Sequence, residues 1–269
     1  MISEKELRIA LLVLFLAALS QPALSVFAAE GKSKPAPDIW EAAAKFKFGD
    51  DEKVLVAAAA EVQKAAGNPA AKKQVEAKLA ALVENATPDA KRFACRQLWM
   101  VGTAQAVPAL AKLLPDEQLS DAARYALERM QDQAAGAALR DAAGKLKGKP
   151  LVGVLDSIGG RRDPAAVPLI TPLLADSDRA VAAAAAWALG RIGTSGAADA
   201  LAAARAKADP QAKRGLDDAY LLAADALAAA GKRDAAAAIY RQMSDPKEPR
   251  HVRAAASRGL PSLVTTPSP

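Results

Sequence analysis

The chain has 269 residues, is 52% hydrophobic but only 4% aromatic, and carries a formal net charge of +6. A single cysteine, Cys95, excludes an intrachain disulfide, and a single histidine, His251, leaves metal sites and Cys–His catalysis poorly supplied. Abundant Ala, Leu, Lys, Arg and Glu, with no alternating Val/Ile/Thr run, point away from β-structure and predict an all-α protein.

In chain order, Met1–Arg8 is short and charged, Ile9–Leu19 is an unbroken apolar run, and small residues follow at Val26 and Ala28. This predicts a signal peptide over 1–28, cleaved after Ala28 or Ala29, so that the mature chain is periplasmic or secreted and keeps no integral membrane span. The competing reading is an uncleaved N-terminal anchor, against which stand the shortness of the apolar core and the break at Pro22. Residues 29–37 contain EGKSKPAP, a polar, proline-containing flexible linker.

From Asp38 the pattern becomes helical. Asp38 is placed to cap a helix carrying Ile39, Trp40, Ala43 and Phe46, a lid for the open end of a helical stack. Helical hairpins are then predicted at 50–85, broken at Gly67-Asn68-Pro69, and at 87–114, with Thr87 as cap and Pro88 in the first turn. Further hairpins follow at 115–148, 149–174, 175–208 and 209–244. The clearest copy is 175–208. Asp176, Ser177 and Asp178 offer capping oxygens, and Val181, Ala184, Ala185, Ala188, Leu189 and Ile192 share one helix face. Gly193 sits at the helix end, and Thr194 or Ser195 starts a second helix with Ala197, Ala198, Leu201 and Ala204. With Leu189, Ile192 and Gly193 as a ruler, Leu98, Val101 and Gly102 match, as do Leu155, Ile158 and Gly159. Leu127 and Met130 match without the glycine, and Leu227 and Gly231 without the isoleucine. Neither helix of such a hairpin can bury its alanine-rich stripe alone, so neighbours must stack. The expected fold is an α-solenoid of about six stacked hairpins over 38–263, followed by a disordered tail at 264–269. The last unit has a helix at about 248–259 and no second one, so Val252, Ala255 and Leu263 are expected to lie partly uncovered at an end that docks a partner or marks a shortened array.

The segments ACRQLWMVGTAQAVPALAKLL, AVPLITPLLADSDRAVAAAAAWALGRIG and HVRAAASRGL resemble HEAT repeats, in particular the short HEAT-like type first named from phycobilisome lyases. That pattern has an acidic turn, an Ala-rich helix ending in Leu-Gly-x-Ile-Gly, and a second helix containing Ala-Val-Pro-x-Leu. The resemblance spans roughly 38–263 and implies a bacterial exported HEAT-like α-solenoid. Asp178-Arg179 precedes Ala180-Val181 where the pattern has the reverse order, and GKRDAAAAIYRQM leans towards a tetratricopeptide repeat. Either repeat gives the same architecture.

Motifs for chemistry are missing: the sequence has no HExxH, paired CxxC, GxSxG or glycine-rich phosphate loop. Cys95 reads as a small buried residue on a helix whose apolar face includes Phe93 and Trp99, and His251 as a surface or capping residue. Gly159-Gly160-Arg161-Arg162-Asp163 reads as a junction between helices. No catalytic, cofactor or metal residues are assigned, and the chain is expected not to be an enzyme. Arg96, Arg124, Arg161, Arg162 and Arg191 recur near helix ends and are the candidate partner-binding residues. Lined along one groove they favour an acidic protein segment over nucleic acid, for which no aromatic interleaving is present. The expected function is an exported scaffold or adaptor binding another protein along a concave surface made by the row of second helices. The alternative, carried by the resemblance alone, is an accessory lyase- or chaperone-type subunit holding a cofactor or substrate protein in the groove.

Overall fold

In the computed structural model residues 38–262 are described. The signal peptide, linker, Leu263 and tail expectations lie outside them. The helices start where short polar side chains take up free amides. The Asp38 carboxylate accepts from the Trp40 amide and opens α1 (Ile39–Ala44), after which α2 runs over Lys53–Ala65. Asn68 caps α3 (Pro69–Asn85), Thr87 caps α4 (Pro88–Val101), and each helix has proline in its first turn, where an amide is dispensable. Next come α5 (Val107–Ala111), α6 (Ser120–Arg129), α7 (Gln133–Ala143), capped by Asp132, and α8 (Gly148–Arg161). The partner of α8 is broken for a chemical reason. Pro164, Pro168 and Pro172 recur every four residues, so the amides that would bond back one turn are missing at Pro168 and Pro172. The segment divides into a 3-10 turn at Pro164–Ala166, the single-turn α9 (Val167–Ile170) and a second 3-10 turn at Thr171–Ala175. Asp178 caps α10 (Arg179–Ile192), Thr194 caps α11 (Ser195–Lys207) and Asp209 caps α12 (Pro210–Ala229). The series closes with α13 (Arg233–Met243) and α14 (Arg250–Ser262).

The hairpins stack in two layers. First helices α2, α4, α6, α8, α10, α12 and α14 each pack on the next, while α3, α5 and α7 pack in sequence on the other layer. Among the described residues this gives six hairpins and a terminal half, all helical and without strand: an α-solenoid. The core runs through the array as a file of fully buried Leu79, Leu98, Leu127, Leu155, Leu189 and Leu201. Each is worth about 1.5–3 kcal/mol of burial. Trp40, Ala43 and Phe46 are buried at the α1 end, where α1 packs on α2, α3 and α4.

Two expectations need correction. The repeat ruler slips by one helical turn in α8. This helix continues through Gly159 and Gly160 and ends at Arg162, whose left-handed φ of 52° corresponds to φ 61° at Gly193. Helices α4, α8 and α10 are then all 14 residues long, ending at Gly102, Arg162 and Gly193, and the counterpart of Gly159 is Gly190. Both glycines allow helices to touch through their backbones. A Cβ at 159 would lie 2.9 Å from Cα of Ala188, and one at 190 would lie 2.7 Å from the Ala219 carbonyl oxygen. Gly159-Gly160 is therefore a packing surface and no inter-helix junction. At the far end Val252 is buried, because α14 packs against both α12 and α13. The outer residues of α14 include Arg250, His251, Ser257 and Arg258, all exposed, which suits a polar terminal cap.

Candidate protein-binding face

Counting back from the helix ends at Gly102, Arg162 and Gly193 defines the outward face of the first-helix layer. Six residues before each end stand Arg96, Asp156 and Trp187, all exposed; ten residues before stand Arg92, Val152 and Ala183. The first-helix layer carries several exposed large apolar side chains, Trp99 and Met100 from α4, Tyr125 from α6 and Trp187 from α10, besides Phe48 before α2 and Val56 within it. Trp99 is 42% exposed and not on the apolar face of Phe93, since six residues of helix turn it about 120° away. These aromatic groups sit on the first helices, whereas the binding surface expected from sequence is the row of second helices.

Between α4 and α6 this face holds a hollow of about 400 Å³, lined by Arg92, Arg96, Arg124, Arg129 and Tyr125 together with Asp121 and Glu128. Four guanidinium groups meet two carboxylates, leaving net positive charge. Arg96 makes no hydrogen bond or ion pair within the described chain. Arg92 is held by Asp89 at 3.2 Å and the Gln118 carbonyl at 2.9 Å, and Arg129 lies over the Tyr125 ring, 3.9 Å from its centre. Arg124 donates to the Gly153 carbonyl at 3.1 Å and leans on Gly153, where a Cβ would lie 2.7 Å from its guanidinium; its buried Nε has no acceptor. Glu128 leans in the same way on Gly160. The glycines of α8 therefore receive the side chains of α6, and the α6–α8 seam is filled.

The five arginines selected from sequence do not form one row. Arg96 and Arg124 share the α4–α6 hollow. Arg161 points into the end of α6, donating to the carbonyls of Leu127 at 2.6 Å, Glu128 at 3.1 Å and also Met130 and Asp132. That is a helix C-terminal cap by a cation, a structural task. Arg162 is exposed beside the Arg140–Asp163 ion pair, and Arg191 lies one turn beyond Trp187. Sequence reading missed Arg92, Arg129, Tyr125 and Trp187; the spacing Ala183, Trp187, Arg191, off the buried stripe of α10, is the signal that marks this face.

Two titratable groups near this face are shifted by their surroundings. Burial, with the Asp121 charge, pushes the Cys95 thiol up to about 12. Partial desolvation of the Asp156 carboxyl, at the rim of this face, raises it above its ordinary value against the pull of Arg124 and Arg191. Among the described residues no three of His, Cys, Asp or Glu converge to hold a metal ion, and no helix is long and apolar enough to cross a membrane.

Residues 152–216, from α8 into α12, match the family model described as HEAT repeats. Over these residues the chain carries HEAT-like repeats. Solved structures similar to this HEAT-like array include the complex of CpcE and CpcF of phycocyanin lyase from Nostoc sp. PCC7120, at 23% identity and TM-score 0.40, with 90% of this chain and 100% of that chain covered. A designed armadillo repeat protein in complex with the peptide (KR)4 is similar at 15% identity and TM-score 0.34, covering 84% and 99% of the two chains. No curated protein matches the chain.

Proposed function

We propose that this HEAT-like array is a non-enzymatic, exported scaffold that binds another protein through the outward face of its first helices, seating an acidic segment in the α4–α6 hollow. The observation that carries the proposal is the exposed, unpaired Arg96 beside Trp99, Met100, Tyr125 and Arg129. Arginine, tryptophan and tyrosine are the side chains that dominate binding energy at protein interfaces, and an exposed cluster of them on a repeat surface is suited to recognition. The leader-like segment Met1–Ala28 supports a site of action outside the cytoplasm, in the periplasm or the medium.

The test is binding of a fluorescent hexaglutamate peptide to the mature chain, with hexalysine as control. Hexaglutamate is expected to bind at low salt, to weaken several-fold at about 0.5 M salt as charges are screened, and to lose at least tenfold in the double variant Arg96→Glu, Arg129→Glu. Equal binding of both peptides, or an unchanged affinity in the variant, overturns the reading.

A further inference from the structure

A second hollow lies on the same face, between α10 and α12. It encloses about 260 Å³, is lined by Leu174, Ala182, Ala183, Ala186, Gly215 and Leu216, and is mainly apolar, with Arg179 and Gln211 at its margin. Ala183 stands in α10 at the position that Arg92 holds in α4, so both hollows lie in seams between first helices, the second nearer the helix starts and reaching Leu174 of the 3-10 turn Thr171–Ala175. They differ in chemistry. One offers guanidinium groups around a tyrosine, the other a space walled by alanine and glycine with Trp187 on the next turn of α10. The seam at α6–α8 is closed by Arg124 and Glu128 lying on Gly153 and Gly160; that at α8–α10 is closed by backbone approach at Gly159, while a separate hollow of about 550 Å³ at the starts of these two helices is lined by Leu151, Leu169, Leu173 and Val181 with Lys147 and Asp178.

We infer that the partner segment is an extended stretch with acidic residues at one end and a bulky apolar side chain about eight residues away, occupying both hollows at once. Three interhelical steps of about 8–10 Å separate the grooves. An extended chain spans that at roughly 3.3 Å per residue. This rests on the acidic-segment reading above and adds to it a polarity, acidic towards α4 and apolar towards α12. Linking two weak contacts through a spacer that matches their separation raises affinity without any new contact.

Three fluorescent peptides test the inference: three glutamates alone, two leucines alone, and the two joined by a Gly-Ser spacer of about eight residues. The joined peptide is expected to bind at least tenfold more tightly than the glutamate peptide. Gly215→Leu fills the apolar hollow without strain, since a Cβ at 215 meets nothing within 4 Å and glycine is a poor helix former. In that variant the joined peptide is expected to fall back to the affinity of the glutamates alone, which itself stays unchanged. A joined peptide no tighter than glutamates alone, or one indifferent to Gly215→Leu, overturns the two-hollow inference while leaving the acidic site standing. Failure of the glutamate peptides themselves removes both.

Discussion

At the scale of the residue, backbone conformation and burial decide what single side chains can do. Arg162 closes α8 with φ 52°, a region that costs most L-residues about 1–2 kcal/mol and glycine little, although glycine gives back part of that gain by loosening the unfolded chain. Arg162→Gly is therefore expected to stabilise the fold by about 0.5–1 kcal/mol in urea titrations, with Arg162→Ala giving no gain. Cys95 is fully buried and its thiol is pushed up to about 12, so it offers almost no thiolate at neutral pH. Mass spectrometry is expected to find Cys95 unmodified after iodoacetamide treatment of native protein and alkylated once urea unfolds it. Rapid native labelling would place Cys95 among reactive thiols.

Where helices meet, the question becomes which pairs of elements depend on one another. Arg205 of α11, only 8% exposed, binds Asp217 of α12 and Glu248 just before α14, with Lys213 3.7 Å from Glu248. This cluster ties α11 and α12 to the segment that leads into α14. Arg205→Met leaves the buried Asp217 carboxylate uncompensated and is expected to cost about 3–5 kcal/mol, much of it recovered when Asp217→Leu and Glu248→Gln are added. The hydrogen bond from Arg205 holds the Glu248 carboxyl below its ordinary value. Its folded pKa being the lower one, the stabilisation is complete above the unfolded value of about 4.3 and is lost as pH falls through the folded value. The stability difference between wild type and Glu248→Gln, measured by denaturant titration, should shrink as pH is lowered through that window; a constant difference would separate the two groups energetically.

Over the whole array, each hairpin is sealed by its neighbours, with the tightest backbone contacts at Gly159 and Gly190 in the middle. Stability in such a stack is a sum of local terms and interface terms. Amide exchange is expected to be slowest in α8, α10 and the part of α12 from Leu216 to Leu227, and fastest in α2 and α14; uniform exchange from every helix would reveal a single all-or-none unit. The individual helices were legible from sequence because their signals are local. Asp38, Asn68, Thr87, Asp178 and Thr194 accept from amides two or three residues ahead, and alanine and leucine stripes repeat with the helical period. The register of α8 and the identity of the exposed face were decided by tertiary structure alone. Gly159 and Gly193 look alike in sequence and both lie against a neighbouring helix, at Ala188 and Ala226, yet only Gly193 also takes up a left-handed turn. Likewise Arg161 and Arg96 are the same residue type on the same layer, and only the position of the adjoining helix end makes the first a cap and leaves the second open to a partner. Caps and periodicity are written within a few residues, whereas the use of a side chain depends on what stands about ten ångströms away across the next helix.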